Sequence, residues 1–306
     1  MRKIGSLFIL LLLGSSLLAQ TVTFDRNYVQ KYDGRYEAEI PEVQELALIM
    51  IAISDRGRKD TNMVNQRSAY YREVIEHFKP EHRAIQIVDS LLKESLIYYI
   101  FLSSNAYGFR FKGDSLEATG VYTFPAKGVG AMEITEDPIV KYRAEIEDFA
   151  KVSGFRKFYK AHAAYYQSIV DDYQKYGQIA KQKYWLESKF NYKINSYKVL
   201  TSGLIGGINA TTTFEDQGFK EMLLYLPTIK QNPRLSEEQN TILNSRVIFT
   251  EIDHNYVGPL SAQYKSKIDS VFSNRELWVN ASNTSTRHYP TPVKVFDEYL
   301  TWGLFI

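Results

Sequence analysis

Cysteine is absent from all 306 residues. That absence excludes disulfide staples, cysteine-ligated zinc and the lipid-attachment cysteine of bacterial lipoproteins. An excess of one charge is missing too: 37 Lys and Arg stand against 35 Asp and Glu, with no block of like charges. A chain so balanced lacks the electrostatic footprint of a nucleic-acid or anionic-membrane partner. Internal repeats, low-complexity tracts and Pro/Gly/Ser linkers are lacking as well. So is a long hydrophobic run. The N-terminal stretch Leu7 to Leu13 (LFILLLL) falls short of the roughly 20 apolar residues a membrane span needs. Arg2 and Lys3 precede it, and Gly14, Ser15 and Ser16 lead to a cut near Ala19 or Gln20, so residues 1–20 read as a secretory signal peptide. The expectation is an exported mature chain, residues 21–306, periplasmic or secreted, with no stable membrane insertion.

What is present is ordinary globular material, 44% hydrophobic and 24% charged, long enough to bury a core as one large domain or two small ones. The 23 Tyr and 17 Phe supply that core or line a peptide or glycan groove. The polar stretch 21–40 reads as irregular with one strand. Pro41 stands where a helix starts, ahead of an all-round apolar run from Val43 to Ile53. Helical periodicity returns over Gln66 to Phe78 and Glu81 to Leu92, separated at Pro80. Leu96 to Leu102, β-branched and aromatic, predicts a strand, and Ser103 to Glu133 a loop-rich section. The spacing of Phe155, Phe158, Tyr159, His162, Tyr165, Tyr166, Ile169 and Tyr173 predicts one amphipathic helix. Tyr184 to Phe190 closes another.

Short strands follow over Lys193 to Leu200, Gly203 to Thr213 and Phe219 to Leu226. Gly206 and Gly207 mark a close approach of another backbone. Ser236 and Gln239 form a capping-box signature, opening a helix that the sequence ends at Gly258-Pro259. Helical segments near Ser261 to Phe272 and from Val293 onward complete an α+β domain, mainly helical around a small antiparallel sheet.

One constellation carries chemistry. Thr250-Glu251-Ile252-Asp253-His254 matches the zincin pattern, histidine-glutamate-two residues-histidine, except that threonine holds the first histidine position. On a helix Thr250, Glu251 and His254 share a face, while Asp253 points off it and is a poor substitute ligand. A glutamate three residues before a histidine is by itself common on helix surfaces. The order of elements adds weight: strands precede the helix, and Glu298 follows on a later one, where glutamate-type zincins place their third ligand.

Five blocks in sequence then resemble the exported bacterial proteins grouped as domain of unknown function 4932, regarded as zinc-peptidase-like. They are PEVQELALIMIAISD (41–55), YYREVIEHFKPEHRAIQI (70–87), FAKVSGFRKFYKAHAAYY (149–166), FTEIDHNYVGP (249–259) and VFDEYLTW (295–302). The resemblance implies a single zincin-like domain over 21–306, with Glu251 as general base and His254 and Glu298 as zinc ligands. Thr250 is the departure, and Gly258, in place of the family's asparagine, a lesser one. Zinc binding in small structural sites is worth roughly 10–16 kcal/mol over four ligands, so one lost ligand costs about 3 kcal/mol. Zinc as a cofactor is thereby in doubt.

His288, ten residues before Glu298, is the candidate replacement ligand. His162 reads as a satisfied core histidine, and His77 and His82 as helix-end or surface residues. Without zinc, Glu298 requires a partner such as an Arg, a Lys or charged His254. The implied function is a degenerate peptidase-like envelope or secreted protein, a pseudoenzyme that binds a peptide or envelope partner with little or no hydrolysis. The alternatives are an active zinc peptidase with an altered ligand set and a glycan-binding or structural envelope protein.

Overall fold

The computed structural model describes residues 9–12, 22–130, 132–283, 286 and 289–305. The chain enters through strand β1 (Ile9–Leu12), helix α1 (Arg26–Tyr32) and strand β2 (Tyr36–Glu39). Helices α2 (Glu42–Ile53), α3 (Asp55–Lys59), α4 (Ala69–His77), α5 (Arg83–Glu94) and α6 (Tyr98–Ala106) follow. Side-chain caps start several of them: Asp25 accepts from Tyr28 N, Ser54 from Gly57 N and Ser68 from Tyr71 N. Helix α2 is buried from Val43 to Ile53, as its all-round apolar sequence requires.

Leu96 to Leu102 does not form a strand. It enters α6, buried from Tyr99 to Ala106 and packed against α2. Strand preference is a preference for a pleated, half-buried surface. A segment buried on every side must close its own backbone hydrogen bonds, and a helix does so. Two hairpins come next, β3 (Phe109–Lys112) with β4 (Ser115–Ala118) and β5 (Gly128–Val129) with β6 (Met132–Glu133). Helices α7 (Pro138–Lys141), α8 (Arg143–Val152), α9 (Phe155–Ala161), α10 (Ala163–Tyr176) and α11 (Ile179–Lys189) then cross the main core. The expected single aromatic helix is divided into α9 and α10 at His162, whose φ of −94° and ψ of 9° leave the helical basin.

The main sheet is mixed rather than purely antiparallel. Strands β7 (Ser196–Ser202), β8 (Ile208–Asp216) and β9 (Phe219–Pro227) supply its centre, in the order β8-β9-β7-β2. Strand β8 is antiparallel to β9, while β9–β7 and β7–β2 are parallel. Strand β7 is buried at every residue, the mark of a strand covered on both faces. Backbone of residues 9–12, within the expected signal peptide, pairs in parallel with Ile208 to Thr211 on the outer edge of β8. The close approach at Gly206 is by Asn62: a Cβ there would stand 2.2 Å from the Asn62 carbonyl oxygen.

Helix α12 (Glu237–Gln263) opens on the complete capping box of Ser236 and Gln239. It does not stop at Gly258-Pro259. Gly258 has no Cβ to meet the proline ring. Pro259 lies on the exposed side, while Val257 and Ser261 are buried, so packing carries the helix on to Gln263. Helices α13 (Lys265–Val271) and α14 (Pro292–Phe305) finish the described chain. Ile268, Phe272 and Val295 form a satellite core apart from the main one, which runs from Val22 to Tyr256. The fold class is α+β. No helix among the described residues is long and apolar enough to cross a membrane.

Candidate functional site

Helix α12 is fastened to the sheet before it offers anything to a ligand. Asn255 Nδ2 donates to Thr211 Oγ1 at 2.8 Å, and Thr213 Oγ1 donates to Asn255 Oδ1 at 2.9 Å. The hydroxyls of Tyr197 on β7 and Tyr256 on α12 meet in the core. These bonds set the rotation of α12 and leave Arg246, Thr250 and His254, each four residues apart, as a stripe on one side. Helix α14 packs beside that stripe in the opposite direction. The Phe249 and Phe305 rings lie 5.7 Å apart at one end, and Thr301 Oγ1 is 3.4 Å from His254 Nδ1 further along.

Between the two helices opens a pocket of about 50 Å³ lined by Arg246, Val247, Thr250, Glu251, His254, Tyr289, Glu298 and Trp302. Thr250, Glu251, His254 and Glu298 thus face one cavity. His288 lies outside the described residues. The remaining histidines are engaged elsewhere. His162 is 2.8 Å from Phe158 O and 2.9 Å from Glu73, His77 contacts Ser153 O, and His82 pairs with Asp148 while capping α5 through Ala84 N.

The pocket floor is polar, deeply buried and poorly partnered. Glu251 is 1% exposed and His254 4% exposed, and neither Glu251 Oε1, His254 Nε2 nor Glu298 Oε2 has a well-formed hydrogen bond. Unpaired buried polar atoms are costly, so such a concentration calls for a ligand, water or a proton. Burial, helped by Glu298, pushes the Glu251 carboxyl up to about 8, with Asn209 of β8 offsetting part of the shift. Burial likewise raises Glu298, partly offset by the Trp302 indole and Tyr289. It lowers His254 to about 3, with Lys294 adding to the effect, so the imidazole is neutral. Charged His254 is therefore not the partner of Glu298. That role falls to Trp302, whose Nε1 donates to Glu298 Oε1 at 2.8 Å.

Asp253 points off the shared face, as the helical spacing predicts, and does not line the pocket, but its burial was not foreseen. Its side is covered by α14, so it is fully buried with both oxygens lacking a well-formed bond. Burial pushes it up to about 9, and the Thr301 hydroxyl offsets only part of that. Asp297, 6% exposed beside Ser261, extends the same polar seam. Arg246 and Trp302 were also missed, although each stands four residues from a motif position, Thr250 and Glu298 respectively, the spacing that stacks side chains on a helix.

Zinc fits this set poorly. A neutral imidazole and carboxylates are suitable donors. Yet the Thr250 hydroxyl donates back to Val247 O at 3.0 Å, and among the described residues no three His, Cys, Asp or Glu side chains converge as a metal-holding group. A larger open cleft of about 280 Å³ lies elsewhere, between Phe111 and Arg156, but Arg156 is already bound to Glu42 and Gly113 O. No protein-family model, curated protein or solved structure matches the chain.

Proposed function

We propose that the exported mature chain is a degenerate zinc-peptidase-like protein that binds an extended peptide of the cell envelope and hydrolyses it weakly or not at all. The observation that carries this reading is the side-by-side placement of a strand edge and an unsatisfied pocket. Asn209 lies on the outer edge of β8, in the segment that pairs with residues 9–12, and the same residue stands beside Glu251 at the pocket floor. An edge that accepts one strand can accept another by backbone hydrogen bonding. The pocket would then receive one polar group of that strand.

Hydrolysis is a separate matter. Glu251 has the position of a general base, but a base held protonated up to about 8 is unready near neutral pH, and Thr250 has its hydroxyl turned into its own helix. A water activated by metal would need the ligand that Thr250 fails to supply.

The deciding variant is Thr250→His. Zinc per chain is measured by elemental analysis after dialysis of wild type and variant against micromolar zinc. The wild type is expected to retain well under one zinc, and the variant to gain affinity by about a hundredfold, the worth of one ligand at about 3 kcal/mol. Stoichiometric zinc in the wild type, with peptide cleavage lost in Glu251→Gln, would instead establish the active peptidase with an altered ligand set. An unresponsive Thr250→His would remove the ligand assignment itself.

A further inference from the structure

Arg246 stands at the mouth of the pocket, one helical turn before Thr250. Its guanidinium carbon lies 5.4 Å from the centroid of the Trp302 ring. That ring is fixed in turn, because its Nε1–H is spent on Glu298 Oε1. Stacking on an aromatic face positions a guanidinium without consuming its in-plane donors. Among the described residues no carboxylate pairs with Arg246 and no hydrogen bond fills its N–H groups. Of the two acids that line the same pocket, Glu298 accepts from Trp302 on one oxygen and Glu251 lies at a floor only 1% exposed, and neither forms an ion pair with Arg246.

The chemistry that completes such a group is a carboxylate, which the planar fork takes with two parallel hydrogen bonds. The cavity limits what else enters. About 50 Å³ holds a few waters or one small group, so the bulk of a ligand must stay outside the cavity. We infer that Arg246 receives a carboxylate of the bound peptide at the pocket mouth, so the ligand class is a peptide presenting either its free C-terminal carboxylate or an acidic side chain there. This inference rests on the peptide-binding reading above and adds what that reading leaves open, the charge of the group recognised.

Three pools of short N-acetylated peptides without tryptophan test it by equilibrium dialysis against the mature chain, read by mass spectrometry. One pool has a free C-terminal acid and no acidic side chain, the second an amidated C-terminus with one Asp or Glu, the third an amidated C-terminus and no acid. One of the first two pools is expected to be retained about tenfold over the third, the usual scale of a charge-assisted bidentate contact, and which one identifies the carboxylate's source. Arg246→Gln should erase the preference with the thermal midpoint unchanged, and Arg246→Lys should keep part of it. Equal retention of all three pools, or a preference that survives in Arg246→Gln, overturns the role of Arg246 and leaves peptide binding standing. No retention of any pool by the wild type overturns both.

Discussion

Glu221 and Asp253 are both fully buried carboxylates, and their surroundings differ completely. Glu221, on β9, accepts from Tyr28 at 2.5 Å and from Tyr122 on one oxygen, and from Ser196 at 2.6 Å on the other. Lys198 lies 3.9 Å away, seated over the rings of Tyr28, Tyr32 and Tyr107. Helix α1, the Tyr122 loop and two strands all end on this one carboxylate. Asp253 has neither oxygen well bonded, and against the single Thr301 hydroxyl the helices around it bring two further acids, Glu251 and Glu298. A fully satisfied polar network is what a structure uses to fix its parts. A half-satisfied one persists where something other than stability maintains it. The contrast separates a lock from a site.

The largest effect that sharpens this contrast is expected at the lock. Glu221→Ala leaves Lys198 and three hydroxyls without their shared acceptor in the interior. Removing one member of a buried ionic network costs roughly 3–5 kcal/mol. Urea unfolding should show that loss, and α1 should become susceptible to protease. Asp253→Asn should be neutral or stabilising near pH 8, since it replaces a carboxyl that resists ionisation by a group that need not ionise. Equal losses from the two substitutions would break the comparison.

The second effect is the dependence of stability on pH. Folded Asp253 holds its proton up to about 9 and Glu251 up to about 8, whereas the unfolded chain releases both near 4. Between those limits the folded state carries the extra protons. Their contribution is complete below the unfolded value and is lost as pH rises through the folded ones. His254 acts oppositely, but only between about 3 and 6.5, where the unfolded ring is charged and the folded ring is not. Above about pH 6.5 the imidazole no longer contributes and the carboxyls act alone. Unfolding free energy should fall from about pH 7 to about pH 9, by about 1.4 kcal/mol per pH unit for each proton involved. Asp253→Asn should remove one proton's share of that slope. A flat profile in the wild type would mean that these carboxyls are ionised in the folded protein, with a bound cation or ligand compensating their charge.

The two regions also differ in how far the sequence discloses them. The capping box at Ser236, the start of α2 behind Pro41 and the common face of Thr250, Glu251 and His254 follow from local rules, since spacing along one helix decides them. Asp253 points off that face, as the same rule has it, and does not line the pocket. What the rule does not reveal is its burial under α14, which arrives from forty residues later in the chain, beyond the reach of periodicity. The same holds for Leu96 to Leu102, whose composition favours a strand until burial against α2 decides otherwise. Glu221 gave no signal either. Its donors, Tyr28, Tyr122 and Ser196, come from three separate segments, and nothing in the spacing of a lone glutamate within an apolar strand announces them.

The smallest effect is also the most discriminating, because it removes a single hydroxyl from each region. Tyr28→Phe takes away one donor to Glu221 while preserving the ring that packs between Phe24, 5.1 Å away, and Tyr32, 4.4 Å away. A hydrogen bond to a charged group contributes about 1.5–3 kcal/mol, and two donors remain, so a loss near the lower end is expected in urea unfolding. Thr301→Val removes the hydroxyl nearest Asp253 and His254 and keeps the shape of the side chain. Its contact with His254 Nδ1 is long at 3.4 Å, and a bond so weak has little to lose. A change below about 1 kcal/mol, smaller than that at Tyr28, is expected there. A loss at Thr301 as large as that at Tyr28 would mean the α12–α14 seam is held together by its polar groups after all, and would make it a second lock rather than a site.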